Sequence, residues 1–254
     1  MKKLTVMCFG TIHHEDMKFG LEQTINNTPE VEDVLVISNK PIIDYGKFVQ
    51  IRDNITISDY DYFAVKNLWA HINTEFVMIC QYDGMAARKD LWTDEFFNYD
   101  YIGAPWPKRF TWIQEQERVG NGGFCIRSAK LLEALRDSNI AFHDQPRFKN
   151  EDAVICQGYS AYLKKKYGIK YAPIELADKF SHEWNNPTGE TFGFHGVWNF
   201  PLFFSEDICL DHLLRIPTSR WKLDQIEMLK MNCDLKSYSK LWTEIYQKLV
   251  TREN

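Results

Sequence analysis

The chain has 254 residues, of which 44% are hydrophobic and 26% charged, with no low-complexity run, and this composition is typical of a folded globular protein. Its formal net charge of -5 offers no overall positive field to a phosphate backbone, which argues against nucleic acid as the main partner. The longest apolar runs, such as residues 34–37 and 76–80, are far shorter than the roughly 20 residues that span a bilayer. We therefore expect no transmembrane helix.

The amino terminus and the cysteines both bear on where the protein works. The MKKLTVMCF start is similar to a signal peptide, but it lacks a small-residue cleavage site and is better interpreted as a first buried strand. The six cysteines are scattered, form no Cys-x-x-Cys pair, and in several cases lie inside apolar runs. Free thiols in a reducing compartment are expected, which predicts a cytoplasmic protein.

Short apolar runs alternate with helical patterns through the first two thirds of the chain. The predicted strands are residues 4–9, 34–38, 76–80, 101–104, 124–127 and 169–172. The predicted helices are residues 62–72, 90–97, 129–135 and 151–166. This alternation predicts an α/β fold, with a mainly parallel open sheet flanked by helices on both faces. We expect a single domain over residues 1–254, in which residues 220–254 form a helical extension.

Two glycine-containing turns lie next to predicted strands. Gln81-Tyr82-Asp83-Gly84 follows a buried strand, and ligands of open α/β sheets bind beyond the carboxyl ends of such strands. Taken alone, the motif favours an ordinary Asp-Gly turn over a ligand site at Asp83. The loop at 119–124 contains Asn121, Gly122 and Gly123, which would let the backbone approach a ligand, although a hairpin turn has the same composition.

Two further strings place ionisable side chains at element boundaries. Glu151 and Asp152 follow Asn150, where carboxylates suit the first turn of a helix and would also suit a general base. His195 lies within the FGFHG string at 192–196, and the FSHEW string at 180–184 adds Glu183. A lone histidine of this kind is either a packed core residue or a metal ligand.

Several of the eight tryptophans occur in loop-like positions. These are Trp106, Trp112, Trp184 and Trp198. Their large apolar rings suit ordinary core filling. They equally suit platforms for sugar rings, so the pattern leaves both interpretations open.

Taken in order, these strings resemble a known family. FVMICQYDG, WTDEFFNYDYIGAPW, VGNGGFCIRS, NEDAVIC, FSHEW and FGFHGVW resemble the uncharacterised glycosyltransferase-like domains found in bacteria and some viruses. The resemblance covers about residues 60–200. That family is similar to the GT-A glycosyltransferase fold, a Rossmann-like mixed sheet that binds a nucleotide-sugar and usually a divalent cation.

The resemblance implies roles for particular residues near the donor. The D-x-D motif that holds the metal in GT-A enzymes corresponds here to Gln81-Tyr82-Asp83, so one carboxylate is replaced by Gln81. Asp83 and His195 are the implied ligands of Mn²⁺ or Mg²⁺, because a diphosphate and water supply the remaining ligands. The loss of the first Asp leaves dependence on a metal open.

The resemblance also implies an acceptor side and a nucleoside side. Asp152 is the expected general base, with Glu151 as the alternative. The loop of Asn121, Gly122 and Gly123 is expected against the donor sugar. The set expected near the nucleoside or its phosphates is Thr11, Tyr62, Lys66, Gln81 and Asp83.

The predicted function is transfer of a sugar, with inversion, from a UDP- or dTDP-sugar to a hydroxyl of a glycan or lipid-linked glycan. One alternative is a non-catalytic glycan-binding or assembly scaffold derived from such an enzyme. Another is a nucleotidyltransferase, which typically needs two carboxylates for two metal ions where this sequence offers one. The expected location is the cytoplasm, with peripheral contact at the inner face of the membrane as a further possibility.

Overall fold

The computed structural model describes residues 3–114, 117–142, 148–185 and 190–251. The chain divides into two compact units, Met1–His195 and Gly196–Asn254. The second unit therefore begins well before residue 220, where the sequence pattern predicts the helical extension.

The first unit is built on a mixed six-stranded sheet in the order β3-β2-β1-β4-β7-β6. Its strands are β1 (Leu4–Phe9), β2 (Val31–Ser38), β3 (Lys47–Gln50), β4 (Phe76–Cys80), β6 (Tyr101–Gly103) and β7 (Cys125–Ser128). The pairings among β3, β2, β1 and β4 are parallel, whereas β7 runs antiparallel to both β4 and β6. The predicted α/β class is confirmed, and the large sheet contains both parallel and antiparallel strand pairs.

A small second sheet lies in the same unit and carries part of the site. It pairs β5 (Gly84–Ala86) antiparallel to β9 (Gly193–His195), and β9 parallel to β8 (Ser181–His182). Strands of two or three residues leave little periodic signal, so the sequence pattern does not predict them.

Helices flank the large sheet in this unit. They are α1 (His14–Asn27), α2 (Ile57–Lys66), α3 (Ala129–Ala134), α4 (Glu151–Ala153), α5 (Ser160–Tyr167) and α6 (Ile174–Phe180), with a π-helical turn at Val154–Gly158. Local capping explains several boundaries. The side chain of Ser128 accepts a hydrogen bond from the Leu131 amide at the start of α3. Gly168 ends α5 with φ of 62°, a left-handed conformation that glycine adopts without strain.

Two predicted elements are wrong. Residues 169–172 form no strand, and Tyr171 makes only an isolated bridge to Tyr101. Pro173 follows at once and precedes α6, so the chain turns away before a ladder can extend. The helix predicted at 90–97 is instead two 3₁₀ turns, Lys89–Leu91 and Asp94–Asn98, because Thr93 between them is extended and caps the second turn.

The core of the first unit is the buried face of the central strands. Every residue of β4 is buried, as are Leu4, Val6, Met7 and Cys8 of β1. Burying a side chain of this size removes about 1.5–3 kcal/mol of unfavourable apolar hydration. These strands therefore give the carboxyl end of β4 a rigid base, and the turn that carries Asp83 follows directly.

The second unit is helical over its described residues. Its helices are α7 (Phe200–Phe203), α8 (Glu206–Leu213), α9 (Leu223–Lys236) and α10 (Ser239–Thr251), with 3₁₀ turns at Val197–Asn199 and Thr218–Arg220. Polar contacts join these helices: Asn232 donates to the Trp198 carbonyl at 2.8 Å, and Glu206 accepts from the Leu241 amide at 2.9 Å. Across the described ranges, no helix combines the length and the apolar character that a membrane crossing needs.

Candidate functional site

A cavity of about 500 Å³ opens among residues that follow several strands of the first unit. Its polar lining includes Asn121, Asp152, Glu183 and His195. These side chains come from the loop before β7, the first turn of α4, the segment after β8 and the end of β9. The fold therefore brings together motifs that are far apart in the sequence.

Asp83 and His195 are neighbours because of the small sheet. The antiparallel pairing of β5 and β9 sets Gly84 opposite His195, and the Nε2 atom of His195 lies 3.6 Å from the Asp83 Oδ1 atom. The other ring nitrogen, Nδ1, lies 3.0 Å from the Glu183 Oε1 atom. A histidine held by a carboxylate at one nitrogen has a fixed ring orientation at the other.

Two glycines give the histidine ring its place. A Cβ atom at Gly123 would overlap the His195 ring, and one at Gly84 would lie only 2.6 Å from the Gly123 carbonyl oxygen. The backbone of the loop therefore packs directly on His195 and on the turn after Asp83. Only residues without a side chain permit this approach.

The charges of this group are coupled. Burial raises the pKa of both Asp83 and Glu183, although the nearby imidazole opposes the rise. Burial lowers the pKa of His195, but the negative charges of Asp83 and Glu183 outweigh it and raise this pKa to about 9. Carboxylates and a histidine with displaced pKa values in one cleft are typical of a functional site.

The Asp83 Oδ1 and His195 Nε2 atoms are placed so that they can supply two of the ligands of one divalent cation. Two ligands each about 2.1 Å from an ion and at right angles are about 3.0 Å apart, so a 3.6 Å separation is close to what one cation spans. The Asp83 Oδ1 atom is buried and has no hydrogen-bond partner among the described residues. Over the same residues, no group of three or more His, Cys, Asp or Glu is arranged to hold a metal. A cation here would need further ligands from a phosphate group or water.

Asp152 faces the same cavity from the first turn of α4. Its Oδ2 atom accepts a hydrogen bond from the Gly122 amide at 3.1 Å, and its Oδ1 atom accepts one from the Ala153 amide at 2.6 Å. Burial raises the pKa of Asp152, and these two amides oppose the rise. The carboxylate is oriented by the glycine loop and open to the cavity.

Glu151, its neighbour, has a different environment. Its side chain is 3% exposed and forms an ion pair with Arg127 of β7, which is fully buried. A Cβ atom at Gly122 would overlap the Glu151 carboxylate, so this carboxylate packs directly on the glycine loop. Burial raises the pKa of Glu151, and the positive charge of Arg127 opposes the rise. The geometry suits a structural anchor better than a base.

A polar network continues from Glu151 towards α2. The Glu151 amide donates to the Asp61 Oδ1 atom at 3.0 Å, and burial raises the pKa of Asp61 to about 6. Gln81, the first residue after β4, donates from Nε2 to the Tyr60 hydroxyl at 3.2 Å. This hydrogen bond fixes the Gln81 side chain against α2.

The residues expected near the nucleoside are dispersed. Tyr62 lines a second cavity of about 540 Å³ together with Phe9, Arg52 and Asn67, beside the ends of β1 and β3. Thr11 is partly exposed just after β1. The structure does not bring Lys66 to either cavity: its ammonium group donates to the carbonyls of Leu135 and Asp137 at 2.8 and 3.0 Å.

Aromatic rings form one side of the 500 Å³ cavity. Trp106, Trp112, Phe148 and Trp184 line it, and we call these four residues the aromatic wall. The centroid of the Trp112 ring lies 5.4 Å from that of Trp106 and 6.2 Å from that of Phe148. Three of the four tryptophans noted in the sequence thus meet at one cavity. Trp198 belongs to the second unit and is buried there.

Two residues that organise this site, Arg127 and Glu183, have no role that the sequence pattern predicts. Arg127 pairs with Glu151, and its signal in the sequence is a charged residue inside the apolar FCIRS strand. Glu183 orients His195, and it is identifiable in the sequence only as an acidic residue among aromatic ones. Neither pairing is visible without the fold, because each joins distant segments.

Residues 48–195 match the model of a protein family described as "Protein of unknown function (DUF5672)". The match covers more than half of the chain and ends at the last residue of the first compact unit. It includes every residue named above that lines the 500 Å³ cavity, whereas Phe9 and Thr11 lie outside it. No curated protein matches the chain.

Proposed function

We propose that this chain, which belongs to the DUF5672 family, is a GT-A-type glycosyltransferase that moves a sugar from a nucleotide-sugar to a hydroxyl of a glycan or lipid-linked glycan. One observation carries the proposal. His195, paired with Asp83, and Asp152, held by the Gly122 amide, line a single cavity beside the turn that follows β4. Such a transfer requires a base beside the attacking hydroxyl and a group that neutralises charge beside the leaving diphosphate, on opposite sides of the anomeric carbon.

Asp83 and His195 are the residues that would hold a divalent cation on the diphosphate. Such a cation, when bound, offsets the negative charge that develops on the leaving nucleoside diphosphate. Glu183 keeps the His195 ring in a fixed orientation through its bond to Nδ1. Because Gly123 and Gly84 have no side chains, the loop of Asn121, Gly122 and Gly123 packs directly on His195 and on the turn that follows Asp83.

Asp152 is the proposed general base. Its carboxylate accepts the proton of the acceptor hydroxyl while the hydroxyl oxygen forms a bond to the anomeric carbon. The bond from that carbon to the diphosphate oxygen breaks, and the nucleoside diphosphate leaves with the electron pair. Attack from the face opposite the leaving group inverts the anomeric configuration. The raised pKa of Asp152 brings it closer to neutral pH, where proton acceptance is most effective.

A non-catalytic glycan-binding scaffold derived from such an enzyme is the second candidate. The observation that favours it is Gln81, which bonds to Tyr60 where the D-x-D motif of the GT-A enzymes would supply a carboxylate. The two candidates share the sugar site and differ in whether a donor is bound and cleaved. They therefore make opposite predictions for hydrolysis of a nucleotide-sugar.

The first test is thermal unfolding with UDP, dTDP, GDP and CDP, each with and without Mn²⁺. A nucleotide at 100-fold excess over its Kd stabilises the native state by about 2.7 kcal/mol, which raises Tm by about 5 °C or more. Asp83→Asn should remove the Mn²⁺-dependent part of this increase. Asp33→Asn, at an exposed position of β2, is the matched control and should leave it unchanged.

The second test is release of free sugar from the stabilising nucleotide-sugar. Slow hydrolysis in the presence of Mn²⁺, lost in Asp83→Asn, is expected of the transferase. Stabilisation by nucleotide without hydrolysis or transfer would favour the scaffold. Absence of stabilisation by any of the four nucleotides would contradict the proposed function.

A further inference from the structure

Trp112 is the most exposed ring of the aromatic wall and lies within a concave site. Trp106 is 5% exposed and packs on Gly120, whereas Trp112 is 38% exposed. Isolated exposed aromatic residues are common, but an aromatic ring open inside a cavity and supported by other rings is typical of a ligand site. Phe110, stacked near Trp112 with ring centroids 6.0 Å apart, helps to fix its position.

Polar groups make up another part of the lining of the same cavity. Asn121 supplies a side-chain amide, and Asp152 and Glu183 supply carboxylate oxygens that accept hydrogen bonds from hydroxyl groups. A ligand that fits this lining needs an apolar surface as well as several hydroxyl groups. A pyranose ring has this form, because its axial C–H bonds form an apolar face while its hydroxyl groups project from the ring edge.

The charges of the lining discriminate between neutral and negatively charged pyranosides. Asp152 and Glu183 lie in the lining and Asp83 is next to His195. These three carboxylates outnumber the one imidazole ring among them, and they repel another negative charge at short range. Lys149 also lines the cavity, and Arg109 lies over the Trp184 ring, but both side chains are exposed, so solvent screens their charges. The lining therefore favours a sugar without a carboxylate over a uronic acid.

We infer that this cavity binds the acceptor as a neutral pyranoside whose apolar face stacks on the indole of Trp112. The inference rests on the proposed function and makes it more specific, because it selects a neutral glycan as the acceptor class. In this position an acceptor hydroxyl faces the Asp152 side of the cavity.

The test is saturation-transfer NMR on the full chain without nucleotide or metal. The probes are the methyl glycosides of glucose, galactose, mannose and N-acetylglucosamine, together with the methyl glycosides of glucuronic and galacturonic acid. At least one neutral glycoside should receive saturation from the protein, mainly at the protons of one ring face, and the uronides should receive little.

The variants decide whether Trp112 is the platform. Trp112→Ala should weaken binding of the neutral glycoside about tenfold, the loss expected for one stacking contact. Trp112→Phe should recover most of the affinity, since it keeps an aromatic face. Trp69→Ala is the matched control, because Trp69 is also 38% exposed but lies outside this cavity, under the guanidinium of Arg136.

Three results would overturn the inference: no saturation of any neutral glycoside, equal binding of the uronides, or an equal loss of binding in Trp69→Ala. The outcome is separable from the proposed function. A protein that hydrolyses nucleotide-sugar but binds no neutral glycoside keeps the function and loses this inference. A protein that binds neutral glycosides at Trp112 but no nucleotide keeps the sugar site and loses the transferase.

Discussion

Two adjacent carboxylates, Glu151 and Asp152, show how much a residue's chemistry depends on its surroundings. Glu151 is buried against Arg127, so its charge is matched inside the protein. Asp152 is bonded to backbone amides and lines the cavity. At the residue scale, the same acidic side-chain type thus serves as an anchor at one position and is available to a ligand at the next.

Asp152→Asn should abolish most sugar transfer while leaving nucleotide binding intact. The amide keeps an oxygen that can accept from the Gly122 amide, but it cannot take up the acceptor proton, and loss of a general base lowers the rate about 10²- to 10⁴-fold. Steady-state transfer assays and nucleotide titration measure the two quantities. Normal transfer in Asp152→Asn would show that another group is the base.

Glu151→Gln should instead destabilise the fold. It leaves the buried Arg127 guanidinium without its counter-charge, and breaking a buried pair in this way typically costs about 3–5 kcal/mol. Denaturant unfolding of the variant measures the loss. A stable Glu151→Gln protein with transfer reduced as strongly as in Asp152→Asn would move the base to position 151.

Asp61 should make stability depend on pH between about 4 and 6. Burial raises the pKa of Asp61 from its usual 3.8 to about 6, so the folded state holds this proton more tightly than the unfolded state. Its contribution is then fully present below about pH 4 and is lost as the pH rises through 6. Asp61→Asn keeps an acceptor for the Glu151 amide but removes the titration.

The measurement is the free energy of unfolding of both proteins from pH 4 to pH 7. Relative to the wild type, Asp61→Asn should become more stable as the pH rises, because only the wild type has a carboxyl group at position 61 to ionise. A difference that is constant across this range, or that changes in the opposite direction, would contradict the prediction.

At the scale of elements, the site depends on a loop and a small sheet rather than on the large sheet alone. The loop of Asn121, Gly122 and Gly123 contacts Asp152, Glu151 and His195, and β9 brings His195 to the end of β4. Asn121 adopts φ of 59°, so the loop has a conformation that few residues adopt readily. The backbone conformation of this loop therefore helps to position Asp152 and His195, which both line the cavity.

Gly123→Ala should disrupt the Asp83–His195 pair. The added methyl group would overlap the His195 ring, so the ring or the loop must move, and Mn²⁺-dependent stabilisation by nucleotide should be lost. Gly168→Ala is the control, because it strains a left-handed helix end at a cost of about 1 kcal/mol but lies in the cap of α5. Thermal shifts with nucleotide compare the two variants. Full Mn²⁺-dependent stabilisation of Gly123→Ala would contradict this geometry.

At the scale of the whole molecule, the cysteines report on burial throughout the chain. All six are free and buried. Burial raises the pKa of Cys80 to about 12 and that of Cys125 to about 11, and it also raises the pKa of Cys209 and Cys233 to about 12. A thiol that is neither accessible nor ionised reacts slowly.

We therefore expect fewer than about one thiol per native chain to react within minutes with an aromatic disulfide that releases a chromophore on reaction with a thiol. In guanidinium chloride, all six thiols should react. Ser239→Cys, at an exposed position in α10, provides a control and should add one rapidly reacting thiol. Rapid reaction of the native wild type would show that at least one cysteine is more accessible than the structure places it.

Much of the large sheet was predictable from local sequence. Continuous apolar runs predict β1 and β4, Ser128 predicts the start of α3, and Gly168 predicts the end of α5. These features depend on side chains within a few residues of each other. The predicted strand at 169–172 is wrong because strand formation needs a partner, and the chain there makes only one bridge before Pro173.

The residue types of the candidate site were also present in the sequence: a strand-end Asp83, a cap-adjacent Asp152, a glycine-flanked His195 and loop tryptophans. Their distances were not, because each contact joins segments that are far apart along the chain. Only the tertiary structure decided that Glu151 pairs with Arg127 while Asp152 lines the cavity. It also decided that Lys66 binds backbone carbonyls, since long-range packing determines which partners a side chain meets.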